Sequence, residues 1–147
     1  MTLYFDASAW VKAYKEYEVG RAKVLELLRT QELIFSSRVA YAEVLFALRR
    51  AKEAERFSEE DFQRRMGAFL SHWDTVEIVE FSDPVTRILR DRVLAHALRA
   101  LDAIHLASAL WVREFYNVGL TFVCADGRLL EAATQEQLTI LNPEETD

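Results

Sequence analysis

The sequence predicts an α/β fold with a mostly parallel sheet of four to five strands. Short apolar runs alternate along the chain with longer segments whose apolar residues recur at helical spacing, and this order is typical of parallel sheets covered by helices. Only four glycines and two prolines occur in 147 residues, so the connections are expected to be short. The length suits one hydrophobic core, and residues 1–147 are therefore expected to form a single domain.

Five apolar runs are interpreted as strands. The first ends in Phe5, directly before an acidic residue, and the fourth ends in Cys124 and is strongly apolar, as expected of a buried strand. The third mixes alternating polarity with a β-branched pair. The predicted strands are residues 3–5, 32–36, 76–81, 120–124 and 139–141.

The segments between these strands carry signals for helices. Ser58 and Asp61 form a capping-box-like start, Pro84 stands at a first helical position, and Ser36-Ser37 offers an N-cap. A break near Arg99 separates two helices. The predicted helices are residues 10–17, 39–52, 58–73, 83–97 and 102–116, with a further apolar stripe at Ala22, Leu25 and Leu28 and a last helix after Gly127.

Composition narrows the class of protein. Hydrophobic residues make up 51% of the chain and charged residues 29%, which excludes a disordered chain. The longest uncharged apolar stretch, residues 103–112, is too short to span a membrane. The single cysteine forms no zinc pattern, and no signal peptide is recognised, so a cytoplasmic location is expected. The net charge of −6 argues against a nucleic-acid partner but does not exclude one.

Four acidic residues are expected at one edge of the sheet. Asp6 and Asp126 each follow an apolar run and precede a helix, and Glu43 lies in the opening turns of the helix after the second strand. Asp102 begins a helix and reaches the same edge only if the break near Arg99 places it there. Each residue taken alone is also explained as a helix cap or a solvated helix residue. The four together predict a site for Mg²⁺ or Mn²⁺, which prefer oxygen ligands and can activate water next to a phosphate.

These motifs resemble the PIN-domain family, and in particular the toxin ribonucleases of VapBC-type toxin–antitoxin pairs. The resemblance covers nearly the whole chain, with one acidic residue in each of four motifs. The similar stretches are residues 4–9, 36–44, 101–107 and 122–126. The last is followed by Leu129 and Ala132-Ala133, and then by Leu141-Asn142-Pro143.

The resemblance implies a three-layer α/β/α fold and cleavage of RNA phosphodiesters with a water activated by Mg²⁺ or Mn²⁺. It implies that Asp6 and Asp102 bind the metal. Glu43 would help to bind metal or position water, and Asp126 would complete the catalytic set. It also implies two partners, a protein antitoxin that occludes the site and a second copy of the chain in a homodimer. No membrane partner is expected.

Ser8, His105 and three arginines each have two interpretations. Ser8 either hydrogen-bonds near the metal or an Asp6 oxygen, or caps a helix. His105, one turn beyond Asp102, is a general base or, as we favour, a core or helix-packing histidine with a satisfied ring. The arginines Arg38, Arg49 and Arg50 either touch RNA phosphate or an acidic partner, or form a solvated face.

Other classes of function remain as alternatives. A non-catalytic PIN module that binds RNA or protein would use the same fold, although four carboxylates facing phosphates would not help a pure binder. A phospho-acceptor signalling domain would place two acids together after the first strand, and an Asp-x-Asp phosphatase would need an acid at position 8. The chain has Ala7 and Ser8 there, which argues against both.

Overall fold

The computed structural model describes residues 1–30 and 33–145, and within them the chain forms five strands and seven α-helices. The strands are β1 (Thr2–Phe5), β2 (Leu33–Ser37), β3 (Glu77–Val79), β4 (Leu120–Val123) and β5 (Thr139–Leu141). The helices are α1 (Ala7–Lys12), α2 (Arg21–Thr30), α3 (Arg38–Glu55), α4 (Glu59–Trp73), α5 (Asp83–Ile88), α6 (Ala100–Tyr116) and α7 (Gly127–Gln135). A π-helical segment, Leu89–Val93, follows α5, and a 3-10 turn, Pro143–Glu145, follows β5.

The strands form one parallel sheet in the order β3-β2-β1-β4-β5. The predicted fold class is therefore confirmed. Because the strands are parallel, their carboxyl ends lie at one edge of the sheet. The chain leaves β1, β2 and β4 at that edge to begin α1, α3 and α7, which makes it the natural place for a ligand site.

Helices cover both faces of the sheet. Side chains alternate along β1, so Leu3 and Phe5 pack with α1 to α4 on one face, whereas Tyr4 packs with α5 to α7 on the other. All three side chains are completely buried. The arrangement is the expected three-layer α/β/α fold, with β1 at the centre of both cores.

Several local signals give the expected structure. Ser58 accepts a hydrogen bond from the backbone N–H of Asp61 at 3.0 Å and caps α4. Ser37 accepts from Val39 and caps α3. The predicted break is present, because Arg99 is extended and α6 begins after it.

The predicted bounds of the first helix were wrong, and the predicted stripe of the second was correct in part. Helix α1 spans Ala7–Lys12 rather than residues 10–17, and the chain turns at Tyr17, which has a left-handed φ of 62°. On α2, Leu25 and Leu28 pack against the core as expected, whereas Ala22 is exposed. The most buried residues of α2 are Val24 and Leu27.

Helix α3 buries Ala40, Val44, Leu48 and Ala51. Phe46, which shares a helical face with Glu43, is 60% exposed. That face of α3 borders a cleft at the carboxyl edge of the sheet. The predicted first residue of β2, at position 32, and the end of the acidic tail lie outside the described residues.

None of the helices within the described ranges combines the length and the apolar character needed to cross a membrane.

Candidate active site

Asp6 follows β1 at the edge where the parallel strands end. Its backbone N–H donates to the carbonyl of Val123 at 3.2 Å, which continues the pairing of β1 with β4. Its carboxylate accepts a hydrogen bond from the backbone N–H of Ala9 at 3.0 Å and caps α1. Asp6 is nevertheless only 2% exposed, whereas a helix cap by itself needs no burial. The helix cap is therefore observed, and it is compatible with Asp6 as a candidate site residue.

Ser8 connects the end of β1 to the end of β4 by hydrogen bonds. Its Oγ lies 2.7 and 2.9 Å from the two carboxylate oxygens of Asp6 and accepts from the backbone N–H of Ala125 at 2.9 Å. The expected hydrogen bond to an Asp6 oxygen is thus confirmed, and the cap of α1 is Asp6 rather than Ser8. Burial raises the pKa of Asp6, and the neighbouring His105 and the Ser8 hydroxyl lower it in part.

Asp126 stands at the end of the β4 segment and caps α7. Its Oδ1 accepts from the backbone N–H groups of Arg128 and Leu129 at 2.9 and 3.2 Å. Its own N–H donates to the sulfur of Cys124 at 3.2 Å. These contacts fix the half-buried carboxylate while its second oxygen makes no hydrogen bond to any described residue.

Glu43 reaches the same edge from α3. Its Oε1 is 2.7 Å from Nε2 of His105, and its side chain is 21% exposed. The other ring nitrogen of His105, Nδ1, is 2.8 Å from the hydroxyl of Tyr4. His105 is only 1% exposed, so it is the packing histidine with a satisfied ring that we favoured from the sequence. One of its partners, however, is a residue of the candidate site.

Asp102 lies in the first turn of α6, half-buried. Burial raises the pKa of its carboxyl, and the negative charges of Asp126, Asp6 and Glu43 raise it further. The break before α6 therefore brings Asp102 within electrostatic reach of the other three acids. Asp102 makes no hydrogen bond to a described side chain or amide, which leaves its oxygens available.

Two clefts open beside these carboxylates. One, of about 660 Å³, contains Ser8 and Glu43 and is bordered by the exposed side chains of Phe46, Arg50 and Leu101. The other, of about 580 Å³, is lined by Arg99, Asp102, Asp126 and Arg128, among others. The acidic edge is thus open to a ligand on two sides, with arginines at the rim of both openings.

The PIN domain family profile matches residues 3–134 of this chain. The chain belongs to the PIN domain family. Among its relatives is ribonuclease VapC45 of Mycobacterium tuberculosis, which is 35% identical over 127 residues, 86% of this chain and 85% of that protein. The resemblance found in the sequence motifs is therefore confirmed over most of the PIN domain.

Two solved structures share this PIN fold. VapBC2 from Rickettsia felis, solved bound to a DNA fragment from their promoter, has a TM-score of 0.64 at 21% identity, with 97% of this chain and 98% of that chain covered. VapC20 of Mycobacterium tuberculosis, a sarcin–ricin loop cleaving toxin, has a TM-score of 0.63 at 16% identity, covering 89% of this chain and 95% of that chain.

The donor chemistry of this PIN domain fits a hard divalent cation. The candidate ligands are carboxylate oxygens. Burial raises the pKa values of Asp6 and Asp102, and repulsion by neighbouring carboxylates raises that of Asp102 further, a cost that a cation would offset. Within the described ranges, no three His, Cys, Asp or Glu side chains form a ready metal-binding group. Mg²⁺ commonly takes only one or two protein carboxylates and keeps several waters, so two direct ligands are sufficient.

Most neighbouring residues have structural roles in the PIN fold. Trp10 is completely buried, and Cys124 is a buried residue whose thiol pKa is raised by burial. Arg38 forms an ion pair with Glu80 at 2.7 Å on the surface, which is the solvated-face interpretation. Arg50, in contrast, borders the cleft next to Glu43.

The sequence interpretation missed two links within the site. It did not predict that His105 would contact Glu43, because 62 residues separate them. It also missed Ser36, whose buried hydroxyl joins Trp10 to the last residue of β1. A polar residue inside the predicted second strand was the only signal for this second link.

Proposed function

We propose that this PIN domain is a metal-dependent endoribonuclease and the toxin of a VapBC-type toxin–antitoxin pair, with residues 1–147 acting as one nuclease domain. The observation that carries the proposal is the presence of four carboxylates at the carboxyl edge of the sheet, beside two open clefts. The 35% identity to a ribonuclease of the VapC type supports the choice of RNA as substrate.

We assign the metal site to Asp6 and Asp102, with Mg²⁺ or Mn²⁺ as the ion. When bound, the ion would supply Lewis acidity that favours a nucleophilic hydroxide and offsets charge on the phosphate. Asp6 is held rigidly for this role by Ser8 and the first turn of α1. Glu43 positions the attacking water, and Asp126 completes the acidic set from the start of α7.

Arginines at the rim would bind the phosphates on either side of the cleaved bond. Arg99 and Arg128 line the cleft that contains Asp102, and neither forms an ion pair with a described residue. Unpaired guanidinium groups favour phosphate because they match its geometry and charge. The net charge of −6 therefore does not oppose RNA binding at this place, since several of the acidic charges belong to the site itself.

The direct test is cleavage of RNA by the purified protein with Mg²⁺ or Mn²⁺. Asp6→Asn and Asp102→Asn should each abolish cleavage while the circular dichroism spectrum remains that of the wild type. Asp74→Asn is the matched control, because Asp74 is exposed at the end of α4, away from the acidic edge. Wild-type cleavage rates in both site variants would contradict the proposal.

The proposed partners are a protein antitoxin and a second copy of the chain, in the cytoplasm. An antitoxin that covers the cleft next to Glu43 could bury Phe46 and Leu101, which are 60% and 45% exposed. Expression of the chain alone should arrest growth, and a small protein encoded beside it should restore growth. Sedimentation of the purified chain as a monomer would contradict the proposed homodimer.

A further inference from the structure

A buried histidine joins the hydrophobic core to the candidate site. His105 is 1% exposed and contacts two groups from different layers of the fold, the hydroxyl of Tyr4 at 2.8 Å and Oε1 of Glu43 at 2.7 Å. Tyr4 belongs to the central strand, and Glu43 belongs to α3, which packs on the opposite face of the sheet from α6. The contact therefore spans the carboxyl edge of the sheet.

The two hydrogen-bond partners of His105 determine which of its ring nitrogens carries a hydrogen. An ionised carboxylate only accepts hydrogen bonds, so Nε2 of His105 must carry the hydrogen that it donates to Glu43. In a neutral ring Nδ1 then has no hydrogen and accepts one from the Tyr4 hydroxyl. Burial raises the pKa of Tyr4, so the hydroxyl keeps its hydrogen. Tyr4 thus selects the ring tautomer that can hold Glu43.

The histidine itself has little freedom to move. The Tyr4 ring stacks on Phe122 with centroids 5.4 Å apart and meets the His105 ring edge-on at 5.9 Å. Tyr4 and Phe122 are completely buried. A glutamate at the cleft would otherwise sample several rotamers, and one fixed hydrogen bond removes that freedom.

We propose that His105, held by Tyr4, is a positioning residue that fixes the Glu43 carboxylate for RNA cleavage, an inference that rests on the proposed function. The hydrogen bond engages Oε1 only, and Oε2 has no hydrogen-bond partner among the described residues. Oε2 is therefore the atom left to meet a water at the scissile phosphate. His105 acts through Glu43 and does not itself transfer a proton.

The chain contains a matched control for a purely structural tyrosine–histidine pair. Tyr14 and His72 form the same hydroxyl-to-Nδ1 hydrogen bond at 2.8 Å, but in the core formed by α1 and α4. No carboxylate among the described residues contacts the His72 ring. Loss of either histidine should affect stability, whereas only loss of His105 should affect the chemical step.

The test compares His105→Leu, His105→Gln and His72→Leu in RNA cleavage, with stability measured in parallel. His105→Leu should lower kcat about 10–100-fold, the usual effect of removing a group that orients a site residue, with KM for RNA changed less than about threefold. His105→Gln, which keeps an N–H donor near the position of Nε2, should recover most of kcat. His72→Leu should leave kcat unchanged at temperatures where it is folded.

A double-mutant cycle tests whether His105 acts through Glu43. In a Glu43→Ala background, His105→Leu should cause no further loss of kcat, because the group that it positions is absent. Independent, multiplying effects of the two substitutions would overturn the proposal. Equal kcat losses in His105→Leu and His105→Gln would also overturn it.

Nitrogen NMR of the protein without metal or RNA gives a readout that is independent of activity. The His105 ring should carry hydrogen on Nε2 and none on Nδ1, and Glu43→Ala should shift the Nε2 resonance. A hydrogen on Nδ1 with a bare Nε2 would overturn the proposal. A wild-type protein that does not cleave RNA would instead contradict the proposed function, whereas an active wild type with an equally active His105→Leu variant contradicts only the positioning role.

Discussion

The hydroxyl of Ser36 provides the sharpest test of how the core supports the acidic edge. Ser36 lies in β2, is completely buried, and accepts a hydrogen bond from the indole Nε1 of Trp10 at 3.0 Å. It also donates to the carbonyl of Phe5 at 2.7 Å. Since Phe5 immediately precedes Asp6, this hydroxyl connects β2, α1 and the end of β1. We expect Ser36→Ala to destabilise the protein.

The size of the effect follows from the burial of the indole. Trp10 is 0% exposed, so no water can replace the lost acceptor without opening the core. An unsatisfied buried donor costs about 1–3 kcal/mol, and the small volume change from serine to alanine adds little. For a chain of this size, each kcal/mol lowers Tm by about 2–4 °C.

Denaturant unfolding, with Ser71→Ala as the control, measures this cost. Ser71 is exposed on α4, and surface substitutions of this kind change stability by about 0.5 kcal/mol or less. A Ser36→Ala loss no greater than that of the control would refute the reasoning. The cost should also shrink in a Trp10→Phe background, because the donor that Ser36 satisfies is then absent.

Three further predictions concern charge at the site. Burial and neighbouring acids raise the pKa of Asp102 in the folded protein, so its ionisation costs stability as the pH rises above the ordinary aspartate pKa. In thermal unfolding at pH 7 without divalent cations, Asp102→Asn should therefore be more stable than the wild type. This difference in stability should vanish towards pH 3. Mn²⁺ at a hundred times its Kd should stabilise the wild type by about 2.7 kcal/mol, and a similar calorimetric shift in Asp6→Asn would contradict the assigned ligand. Arg99→Ala and Arg128→Ala should each reduce the salt dependence of single-stranded RNA binding, measured as the slope of the log binding constant against log salt concentration, by about 0.7. Arg90→Ala is the control and should leave the slope unaltered, because Arg90 is already paired with an acid. Equal slopes in all variants would contradict the phosphate contacts.

Local signals in the sequence predicted much of the fold. The cap at Ser58 depends on residues three positions apart, and the end of α6 at Tyr116 agrees with the prediction. The apolar stripe of α2 was predicted less well. Ala22 was expected in it but is exposed, whereas Val24 is buried. Helical periodicity predicts the spacing of the apolar residues along one face of a helix. Which of several adjacent faces is buried depends on the angle at which the helix packs on the sheet.

Sequence position alone identified the four candidate acids. Asp6 and Asp126 follow apolar runs, and in a parallel sheet the carboxyl ends of strands share an edge. The contact that joins the ends of β1 and β4 could not be predicted in the same way. Ser8 links the Asp6 carboxylate to Ala125, more than a hundred positions along the chain, and such a contact depends on the register of β1 with β4.

The sequence by itself thus determined the α/β class, the order of elements and the acidic residues that collect at one edge. These features depend on residue type and on spacing along the chain, which are local properties. Only the tertiary structure decided that His105 contacts Glu43 and that Ser8 accepts a hydrogen bond from Ala125. Both contacts require distant segments to meet within hydrogen-bond distance, and that proximity follows from strand register and helix packing rather than from any local pattern.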